Sequence, residues 1–226
     1  MSTLPLRPAR TTDPAEVDRL YEICLRTGAS GADASGLYAD QRLLGEVYLG
    51  AYLALEPGLA SVVEADGVAA GDVLGARDTA AFEDRCEREW WPPLRERYPL
   101  GSFPAGSRDE ALVEQIHRPH RTDPSVLGDY PSHLHVDLLP SAQGGGNGRR
   151  LMEVLFDALR AAGSPGVHLG VAEDNASAIG FYEPLGFPRL DVAEGRVRGR
   201  RRSPAARGRA PRPPRAAGPR GGSGRG

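Results

Sequence analysis

Lysine is absent from this chain, and all 28 of its basic side chains are arginine. A phosphate loop ending in Gly-Lys-Ser/Thr is thereby excluded. Cysteine is scarce. Cys24 and Cys86 each fall in a helical stretch with no second cysteine or metal ligand nearby, so both are expected as buried free thiols in a reducing compartment. Long apolar runs are missing: none approaches the ~20 residues of a membrane span. Residues 1–10 lack the apolar core of a secretory signal. The chain therefore reads as cytoplasmic, with no membrane partner. Acidic residues are missing from the C-terminal end: all 30 lie at or before Glu194, whereas 11 arginines lie from Arg196 onward. The net charge of −2 hides an acidic body and a basic tail. What remains, 226 residues with 40% hydrophobic and 26% charged, is ordinary for a soluble α/β domain with extras.

Residues 4–9 read as a first strand. Asp13, Pro14 and Glu16 then form a helix start, with Asp13 as N-cap and Glu16 closing a capping box. Val17, Leu20, Tyr21, Cys24 and Leu25 share one face of this helix, which stops near Gly28. The glycine-rich loop 28–36 either edges a binding site or connects two elements in solvent. A helix is expected over 39–53, and strands over 59–65 and 68–76 with Asp66-Gly67 as the hairpin turn. One helix is expected over 78–98, disturbed by Pro92 and Pro93. Its Trp90-Trp91 pair suits burial against the sheet or a partner subunit, which leaves a homodimer open. A short helix covers 107–116. His117 and His120 have no carboxylate or cysteine in their segment to complete a ligand set, and no metal is expected.

The most informative stretch begins at about Ser132. Alternation over 132–139 places Leu134, Val136 and Leu138 on one face of a strand and His133, His135 and Asp137 on the other. Three titratable groups on one face of an inner strand imply either a hydrogen-bonded polar layer or the wall of a cleft that handles protons. A loop of Gln143, Gly144, Gly145, Gly146, Asn147 and Gly148 follows. Then comes a helix over 151–160, with Leu151, Val154, Leu155, Ala158 and Leu159 at helical spacing. Such a loop leaves backbone N–H groups free at the positive end of a helix, a site for phosphate or pyrophosphate. A dinucleotide fingerprint fails, because from Gly144 or Gly146 the third glycine would fall on Arg149 or Leu151. What fits is Gln-x-x-Gly-x-Gly between strand and helix. A strand over 166–172, a helix over 176–185 ended by Gly186, and the start of a strand over 187–192 complete the body. From residue 196 the composition collapses to arginine, glycine, proline, alanine and serine with one valine, so 196–226 are expected to be disordered.

The Gln143-to-Gly148 loop, followed at the expected distance by Asn175, Phe181, Tyr182, Gly186 and Phe187, resembles motifs A and B of the GNAT acetyltransferase superfamily. Over nearly all of residues 4–192 the chain is similar to bacterial GNAT proteins related to the acetyltransferase-like C-terminal domain of animal O-GlcNAcase. Tyr21 to Cys24, Trp90 to Pro92, Thr122 to Ser125, and His135 to Pro140 carry that likeness. The animal domain lacks the Gln/Gly loop and is regarded as a pseudo-acetyltransferase; here the loop is present.

The resemblance implies an α/β (α+β) fold. Its sheet is mixed and mostly antiparallel, with a central splayed parallel strand pair and flanking helices, and the domain occupies residues 1–194. It implies acetyl-CoA as cofactor. The backbone of Leu138 and Leu139 would bond the pantetheine arm, and the N–H groups of Gly144, Gly145, Gly146, Asn147, Gly148 and Arg149 the pyrophosphate. Gln143 would brace the loop, and Asn175 would reach over from the other side. Tyr182 would protonate the CoA thiolate, unless it is simply a core tyrosine. Asp137 is the first choice of base, ahead of His135, Glu173 or a water chain. An N–H near Leu138 would polarise the thioester carbonyl, and His133 and His168 are read as structural. The implied activity is N-acetylation of a small-molecule or protein amine by direct transfer in a ternary complex. The alternative is a catalytically weak or inactive acyl-CoA-binding module.

The family's last strand is expected after the segment Asp191 to Glu194, but residues 195–226 form the arginine/proline/glycine tail instead. The tail is either a basic arm for nucleic acid or acidic partners or an altered reading frame. The abrupt shift and the missing acidic residues favour the second, and nucleic acid is not expected as a partner.

Overall fold

The computed structural model describes residues 3–173, 175–190 and 197–201. In chain order the elements are β1 (Leu6–Pro8), α1 (Pro14–Thr27), α2 (Leu43–Tyr48), α3 (Gly50–Leu55), β2 (Ser61–Ala65), β3 (Val68–Ala76), α4 (Thr79–Arg85), α5 (Trp91–Arg97), α6 (Arg108–His117), α7 (Pro124–Leu127), β4 (Ser132–Leu138), α8 (Asn147–Ala161), β5 (Gly166–Gly170), α9 (Ala176–Tyr182) and β6 (Val197–Arg201). The strands make one sheet in sequence order, β1 to β6, antiparallel throughout except for the β4–β5 pair. This is the mixed, mostly antiparallel sheet expected, with helices on both faces.

Alternation along the strands divides the core in two. Val62 and Leu74 face α1 to α6, while Val63, Val73 and Leu134 face α8 and α9. Asp13 caps α1 as expected, its side chain accepting from Ala15 N. The capping box does not close. Glu16 is drawn away to Arg7, 2.5 Å, and to the Arg10 N–H, 2.6 Å, because a buried carboxylate beside a guanidinium gains more there than at a helix end. That pair ties β1 to α1.

The helix expected over 39–53 breaks into α2 and α3 at Leu49. A Cβ on Gly50 would stand 2.3 Å from the Tyr21 hydroxyl, so the bend fits the chain closely around Tyr21. The single helix expected over 78–98 is interrupted by a π-helical turn, Cys86–Trp90, just before Pro92 and Pro93. Proline cannot donate to the preceding turn, and the extra residue absorbs the mismatch. Trp91 is buried and Trp90 donates its indole N–H to Glu46 O. Both rings are thus held within the molecule's own core.

The C-terminal end departs from expectation. Residues 187–190 form only an isolated bridge, Arg189 to Arg198, and residues 191–196 lie outside the described residues. Val197–Arg201, expected to be disordered, is instead strand β6, paired with β5 from Val197↔Gly170 to Arg201↔Gly166. The described domain therefore reaches beyond residue 194. Backbone pairing needs no apolar side chain, and arginine stems supply packing. Arg200 lies 4.4 Å over the Phe156 ring, and Arg198 donates to Phe187 O and Glu183. Gly199 is required here, since a Cβ would stand 2.7 Å from the Tyr130 ring. The remainder of the tail lies outside the described residues.

Candidate active site

The parallel pair β4–β5 is joined only at its start, Ser132↔Val167 and His133↔His168. Beyond those residues the strands separate. Odd-numbered residues of β4 turn their main-chain groups toward β3, as the Leu139 N–H to Ala70 O bond shows, so the N–H groups of Val136 and Leu138 face the gap. A cavity of about 830 Å³ opens there. It runs from the glycine loop and α9 on one side of the sheet to α1, the 28–36 loop and α2 on the other. Leu138, Gln143, Gly148, Asn175, Phe181 and Tyr182 line the first end; Cys24, Gly31, Tyr38, Tyr48, His135 and Asp137 line the second.

At the first end, Gly144, Gly145 and Gly146 take φ of 76, 57 and 77°, three consecutive left-handed residues that only glycine adopts without strain. This conformation turns main-chain N–H groups outward at the N-terminus of α8. Among the described residues, the N–H groups of Gly144, Gly145, Gly146, Gly148 and Arg149 donate to no protein acceptor. Gln143 donates its amide to Leu138 O, 3.0 Å, and so braces the loop against the end of β4. Five free donors around a side-chain-free turn at a helix start make a fitting cradle for a pyrophosphate.

Leu139, expected to bond the pantetheine arm, and Asn147, expected in the cradle, are differently employed. Leu139 is buried; its N–H goes to Ala70 O and its carbonyl accepts from Ala142 N, so it brings no free main-chain group to the gap. Asn147 turns inward, donating to Ala142 O and accepting from Leu4 N, while its own N–H closes a turn on Gly144 O. It anchors the loop to the strand before it and to the N-terminal segment. Asn175 does face the cavity, but its carbonyl oxygen caps α9 by accepting from Ala178 N, which leaves the amide N–H₂ for a ligand.

Tyr182 ends α9 with its ring between Phe181 and Phe187. It is buried, lines the cavity, and among the described residues no group hydrogen-bonds its hydroxyl. Burial, then the charge of Asp137, hold the phenol well above its ordinary pKa, so it keeps its proton.

At the second end His135 Nε2 meets Asp137 Oδ2 at 3.1 Å. Burial works to lower the imidazole pKa. The Asp137 charge, the bond to it and the Asp72 carboxyl outweigh that and raise it to about 9. The two leading base candidates are thus one hydrogen-bonded pair. Glu173 is exposed, pairs with Arg189 at 2.8 Å and does not line the cavity. His133 and His168 sit where β4 and β5 are still joined. His133 bonds Thr79 Oγ1 at 2.8 Å and His168 bonds Tyr130 O at 2.7 Å, which is a structural placement. Asp72, on β3 directly opposite Asp137, was not among the sequence candidates. Its one legible signal is a lone acid in the otherwise apolar and small-residue strand 68–76. Among the described residues no group of His, Cys, Asp and Glu could hold a metal, and no helix is long and apolar enough to cross a membrane.

A sheet splayed after its parallel start, with an anion cradle at the opening, defines a class of protein, and comparison with known sequences places the chain in it. Residues 80–187 match the model of the acetyltransferase (GNAT) family. A solved structure described as SsHAT is 38% identical, covers 88% of this chain and 98% of its own, and superposes with a TM-score of 0.80. The chain belongs to the GNAT family. Protein O-GlcNAcase of Rattus norvegicus is 26% identical over 195 residues, which is 84% of this chain but 20% of that protein, so the chain spans about a fifth of the curated relatives it matches first. The PaiA N-acetyltransferase of Thermoplasma acidophilum, solved with coenzyme A, shares the fold at 12% identity, with a TM-score of 0.53 and coverage of 89% and 100%.

Proposed function

We propose that the protein is an acetyl-CoA-dependent N-acetyltransferase that moves the acetyl group directly to a small-molecule or protein amine within a ternary complex. The observation that carries this reading is the continuous cavity through the splayed β4–β5 pair. It has a cradle of free N–H groups at one end and a carboxylate–imidazole pair at the other. Bound acetyl-CoA supplies the acetyl group as a thioester. The loop amides of Gly144, Gly145, Gly146, Gly148 and Arg149 hold the pyrophosphate. The Leu138 N–H, free in the gap, bonds the pantetheine arm or polarises the thioester carbonyl. Asp137, partnered by His135, takes the proton from the amine, and Tyr182 gives its phenolic proton to the departing thiolate sulfur. The acidic body, with 30 carboxylates, favours approach of a cationic acceptor without identifying it.

Free thiol release from acetyl-CoA, measured against a panel of primary amines, tests the reading. Release with at least one amine is expected, and Tyr182→Phe and Asp137→Asn should each slow it by about 10²-fold or more, the usual worth of a positioned acid or base. Saturable CoA binding with no release for any amine contradicts transfer and leaves an acyl-CoA-binding module.

A further inference from the structure

Asp72 stands in the middle of β3 with a fully buried side chain, and neither carboxyl oxygen has a hydrogen-bond partner. A buried carboxylate without a partner is among the most costly groups a core can hold. Asp137 is directly opposite on β4. Directly opposed residues of an antiparallel pair have Cβ atoms about 4.5–5.5 Å apart, so a side-chain rotation brings the two carboxyls into contact. Asp137 Oδ2 is already bonded to His135, which leaves Oδ1 for a second donor.

The rest of the surroundings offers little to balance the charge. From α1, the Cys24 thiol faces both carboxyls and is pushed up by burial first and by the Asp137 charge second. Arg19, also on α1, is committed to Ala69 O and Glu22. Val62 opposes Asp72 from β2, and Tyr52 of α3 is stacked on Phe82. One imidazole therefore faces two carboxyls. Burial, with the Asp137 charge adding and His135 opposing, raises Asp72 well above the usual carboxylate range.

We infer that Asp72 is a neutral hydrogen-bond donor to Asp137 and the positioning residue of the acceptor end of the cavity, holding one edge of that carboxylate while His135 holds the other. The inference rests on the transfer reading, in which Asp137 receives the amine's proton. In that step the N–H bond of the ammonium breaks, an O–H bond forms on Asp137, and the lone pair left on nitrogen is free to attack the thioester carbon. Asp72 neither gains nor loses a proton. Its part is to hold and aim the Asp137 carboxyl, as a carboxylic acid kept neutral by an apolar site is able to do.

Two variants of the full chain separate this role from a structural one. Asp72→Val removes both a costly buried carboxyl and its one bond to Asp137, opposing effects that should leave thermal stability little changed. The acid limb of the pH–rate profile should nevertheless move up by about one unit and kcat fall ~10-fold, with KM for acetyl-CoA unchanged. Asp72→Asn restores a donor and should rescue most of the rate. A valine variant with raised Tm and an unchanged kcat and pH profile overturns the inference. If the valine variant does not fold, the ¹³C shift of the wild-type Asp72 carboxyl decides: a protonated carboxyl at pH 7 is expected, and an ionised one overturns it. The carboxyl shift needs no turnover. A silent amine panel would therefore defeat the transfer reading while leaving the state of Asp72 decided on its own.

Discussion

His133 and His135 stand two residues apart on one face of β4, and their surroundings drive them in opposite directions. His133 is enclosed by Tyr52, Phe82 and His168, and burial, with the two neighbouring histidines adding, pushes it down to about 3. His135 faces the cavity beside Asp137 and is raised to about 9. An unfolded histidine titrates near ~6.5. Between that value and about 3 the unfolded chain binds a proton at His133 that the native chain refuses, so stability falls as pH drops through this window, by at most ~1.4 kcal/mol per unit. The sign is reversed for His135: its contribution is complete below ~6.5 and is lost as pH rises through about 9. Thermal melts from pH 6.5 to 4.5 should therefore decline less steeply for His133→Gln than for the wild type, and parallel curves would contradict the assignment. In Asp137→Asn the His135 midpoint, followed by imidazole NMR, should drop from about 9 to below ~6.5, because the charge that outweighs burial is then gone.

At the scale of elements, the 143–149 loop and β6 make a pair of opposites. Three successive glycines at positive φ hold the loop open. Gly145→Ala should lower stability by ~1–2 kcal/mol, the cost of a left-handed alanine, and weaken acetyl-CoA binding ~10-fold or more as the added methyl narrows the cradle. Calorimetry on the variant checks both; unchanged affinity would remove the loop from the site. This element was readable in the sequence because its chemistry is local: glycine spacing, a preceding strand and a following apolar stripe all lie within some thirty residues. The same holds for the Asp66-Gly67 turn and the Asp13 cap. β6 was not readable. Its side chains carry no apolar pattern, and what orders it is the free edge of β5, the Tyr130 ring against Gly199 and the Phe156 ring under Arg200, all distant in sequence. A chain ended after Arg201 should keep its melting temperature, whereas one ended after Glu194 should lose several degrees by exposing the β5 edge. Equal melting temperatures would show that β6 adds nothing. The partner of Asp137 was hidden for the same reason: Asp72 is 65 residues away in sequence, and only the β3–β4 register brings the two together.

Across the described residues, the sheet separates two cores, and the cavity connects its opposite faces through the β4–β5 gap. Tyr182 belongs to the α8–α9 side and the His135–Asp137 pair to the α1–α2 side, so in the proposed transfer the acid and the base would approach the reacting centre from opposite faces. A donor entering beside α8 and an acceptor entering beside α1 would then meet without sharing a mouth, which is the spatial requirement of direct transfer. In the proposed complex, acetyl-CoA lies along the open edge of β4 with its pyrophosphate on the glycine loop. Amide hydrogen exchange with and without saturating acetyl-CoA tests this placement. New protection is expected at Leu138 and across residues 144–149, with little change at β6. Saturable binding that protects other segments and leaves these amides exchanging freely would contradict it.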